Sequence, residues 1–192
     1  MIATAIAALI GNYMTTCFVI GLVVALVQML RNRTDRTGAS VSGRFLNAYL
    51  LWAVGIAQSI NLVMHSVFGD YAAKTIGWAQ SPFQLELAFA SLAFGVMAII
   101  LHGRSSQLRA KVAIITAQLI LGLGAAGGHV YQMVVHHDYA ANNTGLLLIM
   151  DIIIALVGLG LLVWHTVARR GQNNRTDATT ARQAQELADS TR

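Results

Sequence analysis

Charge is scarce in this sequence. Only 11% of its 192 residues are Asp, Glu, Lys or Arg, against about 25% in an ordinary soluble domain, which argues against a water-soluble fold. There is one cysteine, Cys17, and one proline, Pro82. A lone cysteine excludes an internal disulfide and any Cys-x-x-Cys metal or redox motif; inside an apolar run with no basic neighbour, Cys17 reads as a packing residue. No Ser-His-Asp order, nucleophile elbow or phosphate loop is written in the chain. Residues 38–43 are Gly- and Ser-containing but lack the lysine of a phosphate loop, and read as a flexible cytoplasmic connector. No reaction class is legible, so whether the protein is an enzyme stays open.

What fills the space is hydrocarbon. Hydrophobic residues make up 56% of the chain, and the mean hydropathy is +0.59. Crossing a bilayer core of about 30 Å takes roughly 20 mostly apolar residues in a helix. Five segments meet that length, at about 2–30, 45–68, 82–101, 112–135 and 145–168. Barrel strands alternate in polarity over about ten residues; the runs at 18–30 and 146–162 do not alternate, so the spans are helices. The first span lacks the basic flank and short apolar core of a signal peptide and reads as a retained membrane helix. The fold class is therefore an all-α integral membrane protein of five transmembrane helices. Helices two to five form a four-helix core, and the first lies alongside. Residues 1–170 are the membrane domain, and 171–192 a polar, solvated, disordered tail.

The thirteen Lys and Arg residues set the orientation. Arg31, Arg33, Arg36, Arg44, Arg104, Arg109, Lys111, Arg169, Arg170, Arg175, Arg182 and Arg192 fall on one side, and only Lys74 on the other. Basic loops stay cytoplasmic. The expected location is thus the plasma (inner) membrane, with the N-terminus outside and the C-terminus in the cytoplasm. This topology accounts for the net charge of +5. It leaves no basic patch with interleaved aromatics for nucleic acid.

Ionisable groups inside a membrane are costly and mark function or internal pairing. At about 1.5 Å rise per residue, His65 lies about 5 Å below the outer boundary, Glu86 about 6 Å, and His129 and Asp151 about 9 Å. Four helices thereby place four ionisable side chains in one outer layer. Asn61 shares a helix face with His65 and Gln58, while Tyr131, Gln132 and Asn12 stand near enough to support the layer. Gly122, Gly124, Gly127 and Gly128 allow close helix approach in the fourth span. The third span opens with Ser81 as N-cap, Pro82 as first helical residue and Gln84 completing a capping box. Trp78 in the preceding loop is an interfacial anchor; His102, His165, Trp52 and Trp164 lie near the cytoplasmic boundary, where the two histidines snorkel. Asn142-Asn143-Thr144 reads as a chance glycosylation sequon.

The run Gly77-Trp78-Ala79-Gln80-Ser81-Pro82-Phe83-Gln84-Leu85-Glu86, with Gly128-His129-Val130-Tyr131, Asp151 and His65, resembles an uncharacterised family of small multi-pass bacterial membrane proteins. That family is defined only as a domain of unknown function. The resemblance covers roughly residues 49–162, and its most specific part is the GWxxSPFQxE stretch. Gln132 stands where relatives often carry Glu, which removes a third carboxylate. The resemblance implies a membrane location and no activity.

Three readings of the polar layer stay open. In the first, the polar residues are glue between helices, or a face covered by another membrane subunit or a second copy, in a structural or accessory protein whose first partner is the lipid bilayer. In the second, His65, Glu86, His129 and Asp151 hold a transition metal or handle protons or a small solute. In the third, His65 and His129 are axial ligands of a haem, or the layer takes a quinone, for electron transfer.

Overall fold

The computed structural model describes residues 8–103 and 105–190; positions 2–7 of the first expected span, with Arg104 and Arg192, lie outside them. Among the described residues every regular element is helical. They are α1 (Tyr13–Arg31), α2 (Gly38–Ala48), a π-helical segment (Tyr49–Ile56), α3 (Ala57–Ser66), α4 (Gly69–Ile76), α5 (Phe83–Leu101), α6 (Leu108–His136), α7 (Ala141–Thr144) and α8 (Leu146–Ser190). Five helical stretches are long and apolar enough to cross a bilayer: α1, the continuous run Gly38–Ser66, α5, α6 and the run Ala141–Ser190. The outward faces carry large apolar side chains along their length, among them Val23, Leu30, Phe89, Ile100, Ile120, Val134 and Val167. An exposed apolar surface of this extent is compatible with a membrane location.

The second span sits at the centre. It packs against α1 and α5 along its π-helical segment, against α8 through α2, and reaches α6 where Gln58 Nε2 donates to Gln118 Oε1 at 3.1 Å. Around it gather Leu46, Leu50, Val54, Ile114, Ile115, Met150 and Ile154, all buried. Two crossings are tight enough to require glycine. A Cβ on Gly95 would lie 3.0 Å from Gly55 O and 2.8 Å from Ser59 Oγ. At Gly158 a Cβ would overlap the Tyr49 hydroxyl, which donates to Ile154 O at 3.0 Å. In the fourth span only part of the glycine set serves packing: Gly122 meets α8 at Asp151 O and Gly128 meets the Trp78 ring, whereas Gly124 and Gly127 have nothing near them.

Several sequence expectations need correcting. Residues 38–43 are no flexible connector. Thr37 caps the helix by accepting from Ser40 N at 3.3 Å, and the small residues let α8 approach, with a Gly43 Cβ falling 3.1 Å from the His165 ring. Ser42 is fully buried, donates to Gly38 O at 2.7 Å and meets His165 Nδ1 at 2.9 Å. His165 is thus a helix-packing residue rather than a snorkelling one. The tail expected to be disordered instead extends α8 through Ser190, solvated on every side. Beyond Gly171 it contains neither Gly nor Pro and is rich in Ala, Arg and Gln, which favour helix. Thr176, Thr179 and Thr180 turn their hydroxyls back onto carbonyls four residues earlier.

Candidate functional site

The polar layer is assembled by loops at one end of the helices. The helix α6 stops at His137, which takes a left-handed conformation (φ 52°), one that His tolerates better than most residues. The N–H groups of His137 and Asp138 both return to Gln132 O. This reversal carries the chain into α7 and brings Asn143, which is fully buried, back against α6. On the facing loop Gly77 ends α4 with φ 89°, and a Cβ there would lie 2.5 Å from Asp138 Oδ1. Only glycine meets both demands. The turn delivers Trp78 over the end of α6, its ring 5.2 Å from that of His129.

Asn143 joins these segments. Its Nδ2 donates to Asp138 O at 2.8 Å and, at 3.4 Å, to His129 O. Its Oδ1 accepts from Trp78 Nε1 at 3.1 Å and lies 2.8 Å from His129 Nδ1. Because Oδ1 is only an acceptor, Nδ1 of His129 carries a proton. That leaves Nε2 facing Asp151 Oδ2 at 3.6 Å, an ion-pair distance, with both side chains buried. The two side chains thus meet as a ring nitrogen and a carboxylate inside the bundle.

A second set lies beside it on α3 and α5. Asn61 accepts from the Tyr13 hydroxyl and donates to Ser91 Oγ at 2.8 Å, and Tyr13 is close enough to Asp151 to feel its charge. His65 Nδ1 lies 3.3 Å from Gln84 Oε1. Gln84 is thereby drawn away from the expected capping box, and α5 begins at Phe83, whose N–H reaches Ser81 Oγ at 3.3 Å. Gln80 ties its loop to α4 through Asp70 Oδ1 at 2.9 Å.

The structure thus joins two of the four layer residues, His129 and Asp151. Glu86 is exposed in the first turn of α5, where a carboxylate complements the positive end of the helix dipole. Asn12 is exposed and bonds back to Ala8 O at 2.9 Å, so the residue α1 sends inward is its neighbour Tyr13. Tyr131 points outward against His136, with ring centroids 5.7 Å apart. Gln132 contributes its backbone carbonyl to the helix end. Sequence reasoning missed Asn143, Tyr13 and Ser91 and took Trp78 for an anchor only.

No group of three or more His, Cys, Asp or Glu side chains forms a ligand set among the described residues. A metal ion does not fit the gathered donors: one imidazole faces one carboxylate, and the remaining partners are Asn143 and Trp78. A haem fits no better, since both ring nitrogens of His129 are engaged and His65 is turned toward Gln84. No step of chemistry through either group follows from this geometry.

Fold and site together define an all-helical protein with five helices able to span a membrane and a buried polar cluster at one end of the bundle. The chain belongs to the family of unknown function DUF6790, whose model matches residues 11–171. No curated protein and no solved structure matches it.

Proposed function

We propose that this is a multi-pass plasma-membrane protein with a structural or accessory role, its N-terminus outside and its C-terminus in the cytoplasm. In it the outer polar cluster is an internal lock. The supporting observation is Asn143, a buried amide that bonds the loop after α4, the end of α6 and the turn into α7 at once. Interhelical hydrogen bonds of this kind contribute roughly 0.6–2 kcal/mol each in membrane bundles, enough for a few of them to decide how outer loops are held. The orientation rests on the basic residues, twelve of thirteen of which fall at one end of the alternating helices. Labelling of single cysteines introduced at Lys74 and at Arg175 in intact cells tests it. The expected result is labelling from outside at 74 only; the reverse pattern inverts the topology.

A second reading, proton handling, is favoured by one observation: His129 Nε2 and Asp151 Oδ2, an imidazole nitrogen and a carboxyl oxygen, face each other at 3.6 Å inside the bundle. Proton uptake by protein reconstituted in vesicles, compared with Asp151→Asn, tests it. Equal uptake by both leaves the cluster as a lock alone.

A further inference from the structure

At the opposite end of the bundle, Lys111 and Arg44 are buried with no carboxylate at ion-pair distance among the described residues. Lys111 stands in the first turn of α6, yet it is only 4% exposed. Its Nζ donates to Asn47 Oδ1 and, at 2.8 Å, to Gly103 O. An ammonium has three N–H donors, so one remains. Lys111, His165 and Arg169 lie within electrostatic reach of one another. The His165 ring is held within the protein, meeting Ser42 Oγ at 2.9 Å through Nδ1 and bonding the Ala39 backbone. Arg44 lies one helical turn from Asn47 and is 3% exposed; its Nη2 donates to Asp35 O at 2.9 Å, and its Nε and Nη1 have no partner.

Buried charge is costly unless it is paired. Asp35, whose carboxylate accepts from Thr37 Oγ1 at 3.1 Å and feels the charge of Arg44, forms no ion pair with Lys111. Among the described residues the one ion pair is His129 with Asp151, at the far end of the bundle. The charged groups that act on Lys111 and His165 are Arg169, on both, and Lys111, on His165; none is a carboxylate. Lys111 lies three residues, about 4.5 Å, inside the start of its helix, which is the level of lipid headgroups. Basic pockets between membrane helices at that level are suited to phosphate headgroups.

We propose that the basic end of the bundle binds a phosphate oxyanion where α2, α6 and α8 meet, with the remaining N–H of the Lys111 ammonium and the Arg169 guanidinium as its donors. The oxyanion belongs to an anionic phospholipid or to free phosphate; the first source rests on the membrane reading and the second does not. The test is thermal unfolding of the full chain in detergent, titrated with phosphatidylglycerol, phosphatidylcholine or inorganic phosphate. The midpoint is expected to rise with phosphatidylglycerol and not with phosphatidylcholine. A rise with inorganic phosphate alone supports the site and names free phosphate as its source. At about 1 kcal/mol per basic residue near a charged surface, Lys111→Met and Arg169→Gln should each raise the half-saturating concentration about fivefold. The exposed Arg109→Gln, which changes the net charge equally outside that site, should leave it within about twofold. Arg169 is exposed, so its variant carries the test if Lys111→Met does not fold. No midpoint shift with any of the three overturns the proposal, as does a shift that Arg109→Gln weakens as much as Arg169→Gln.

Discussion

Replacing Asn143 with Ala removes the one side chain that holds three segments together. Two consequences dominate. The Nδ1–H of His129 loses its acceptor inside the bundle, and an unsatisfied buried donor costs about 1–3 kcal/mol. The Asp138 carbonyl loses a donor at 2.8 Å, worth about 0.5–1.5 kcal/mol. The Trp78 indole is 38% exposed, so water can take over its N–H and little is added there. The sum is roughly 2–4 kcal/mol, which for a chain of this size corresponds to a fall in midpoint of roughly 5–12 °C. Thermal unfolding followed by tryptophan fluorescence reads it, with Asn142→Ala as control in the same short helix. Asn142 is half-buried, and its loss should cost about 0.5 kcal/mol or less. A midpoint for Asn143→Ala within a degree or two of wild type, or an equal fall for Asn142→Ala, refutes the lock.

Other outcomes follow from the same geometry. Because His129 Nε2 faces the Asp151 carboxyl, Asp151→Asn should cost less than about 1.5 kcal/mol, since an amide N–H can donate to Nε2, whereas Asp151→Ala should cost roughly 3 kcal/mol; equal melting of the two variants contradicts a polar contact there. Gly77→Ala combines left-handed backbone with a clash on Asp138 and should lower stability by at least about 2 kcal/mol, while Gly124→Ala, in open space, should be neutral or stabilising by up to about 1 kcal/mol. Glu86→Gln should leave the midpoint within about 0.5 kcal/mol of wild type and change no bound ion. Hydrogen bonds from Ser40, with those of Thr37 and the charge of Arg44, hold the Asp35 carboxyl below the usual aspartate range. A folded value below the unfolded one adds stability above the unfolded pKa, and that stability is lost as pH falls through the folded value. The melting profiles of Asp35→Asn and wild type should therefore differ at neutral pH and converge in acid.

The spans were legible because a run of apolar residues long enough to cross a bilayer has few other uses, and each expected span contains the core of an observed helix. Their ends were harder. Gly38 to Gly43 look like loop residues by type, yet small side chains also serve where helices cross closely, and only the position of α8 reveals that use. The solvated tail was read from its polarity, but its helicity depends on continuity with the span before it. Within the layer, burial depth identified His129 and Asp151 without identifying their partner. Depth carries no information about azimuth, so Glu86 and Asn12 were grouped with His129 and Asp151 although their side chains are exposed. Asn143 was hidden because a loop asparagine becomes central only when a left-handed His137 and a positive-φ Gly77 fold two loops toward it. The GWxxSPFQxE run marked the right loop, for Gly77, Trp78, Gln80 and Gln84 each hold it through a distinct contact.

The central claim is that the polar layer is a hydrogen-bonded lock on His129 rather than a ligand set shared with Glu86. A double-mutant cycle on thermal unfolding tests it most directly, pairing His129→Ala first with Asn143→Ala and then with Glu86→Gln. Residues in contact couple, whereas residues without shared partners add. The account predicts a coupling of about 1 kcal/mol or more between His129 and Asn143, and additivity within about 0.5 kcal/mol between His129 and Glu86. Additive effects at His129 and Asn143, with coupling between His129 and Glu86, would contradict it.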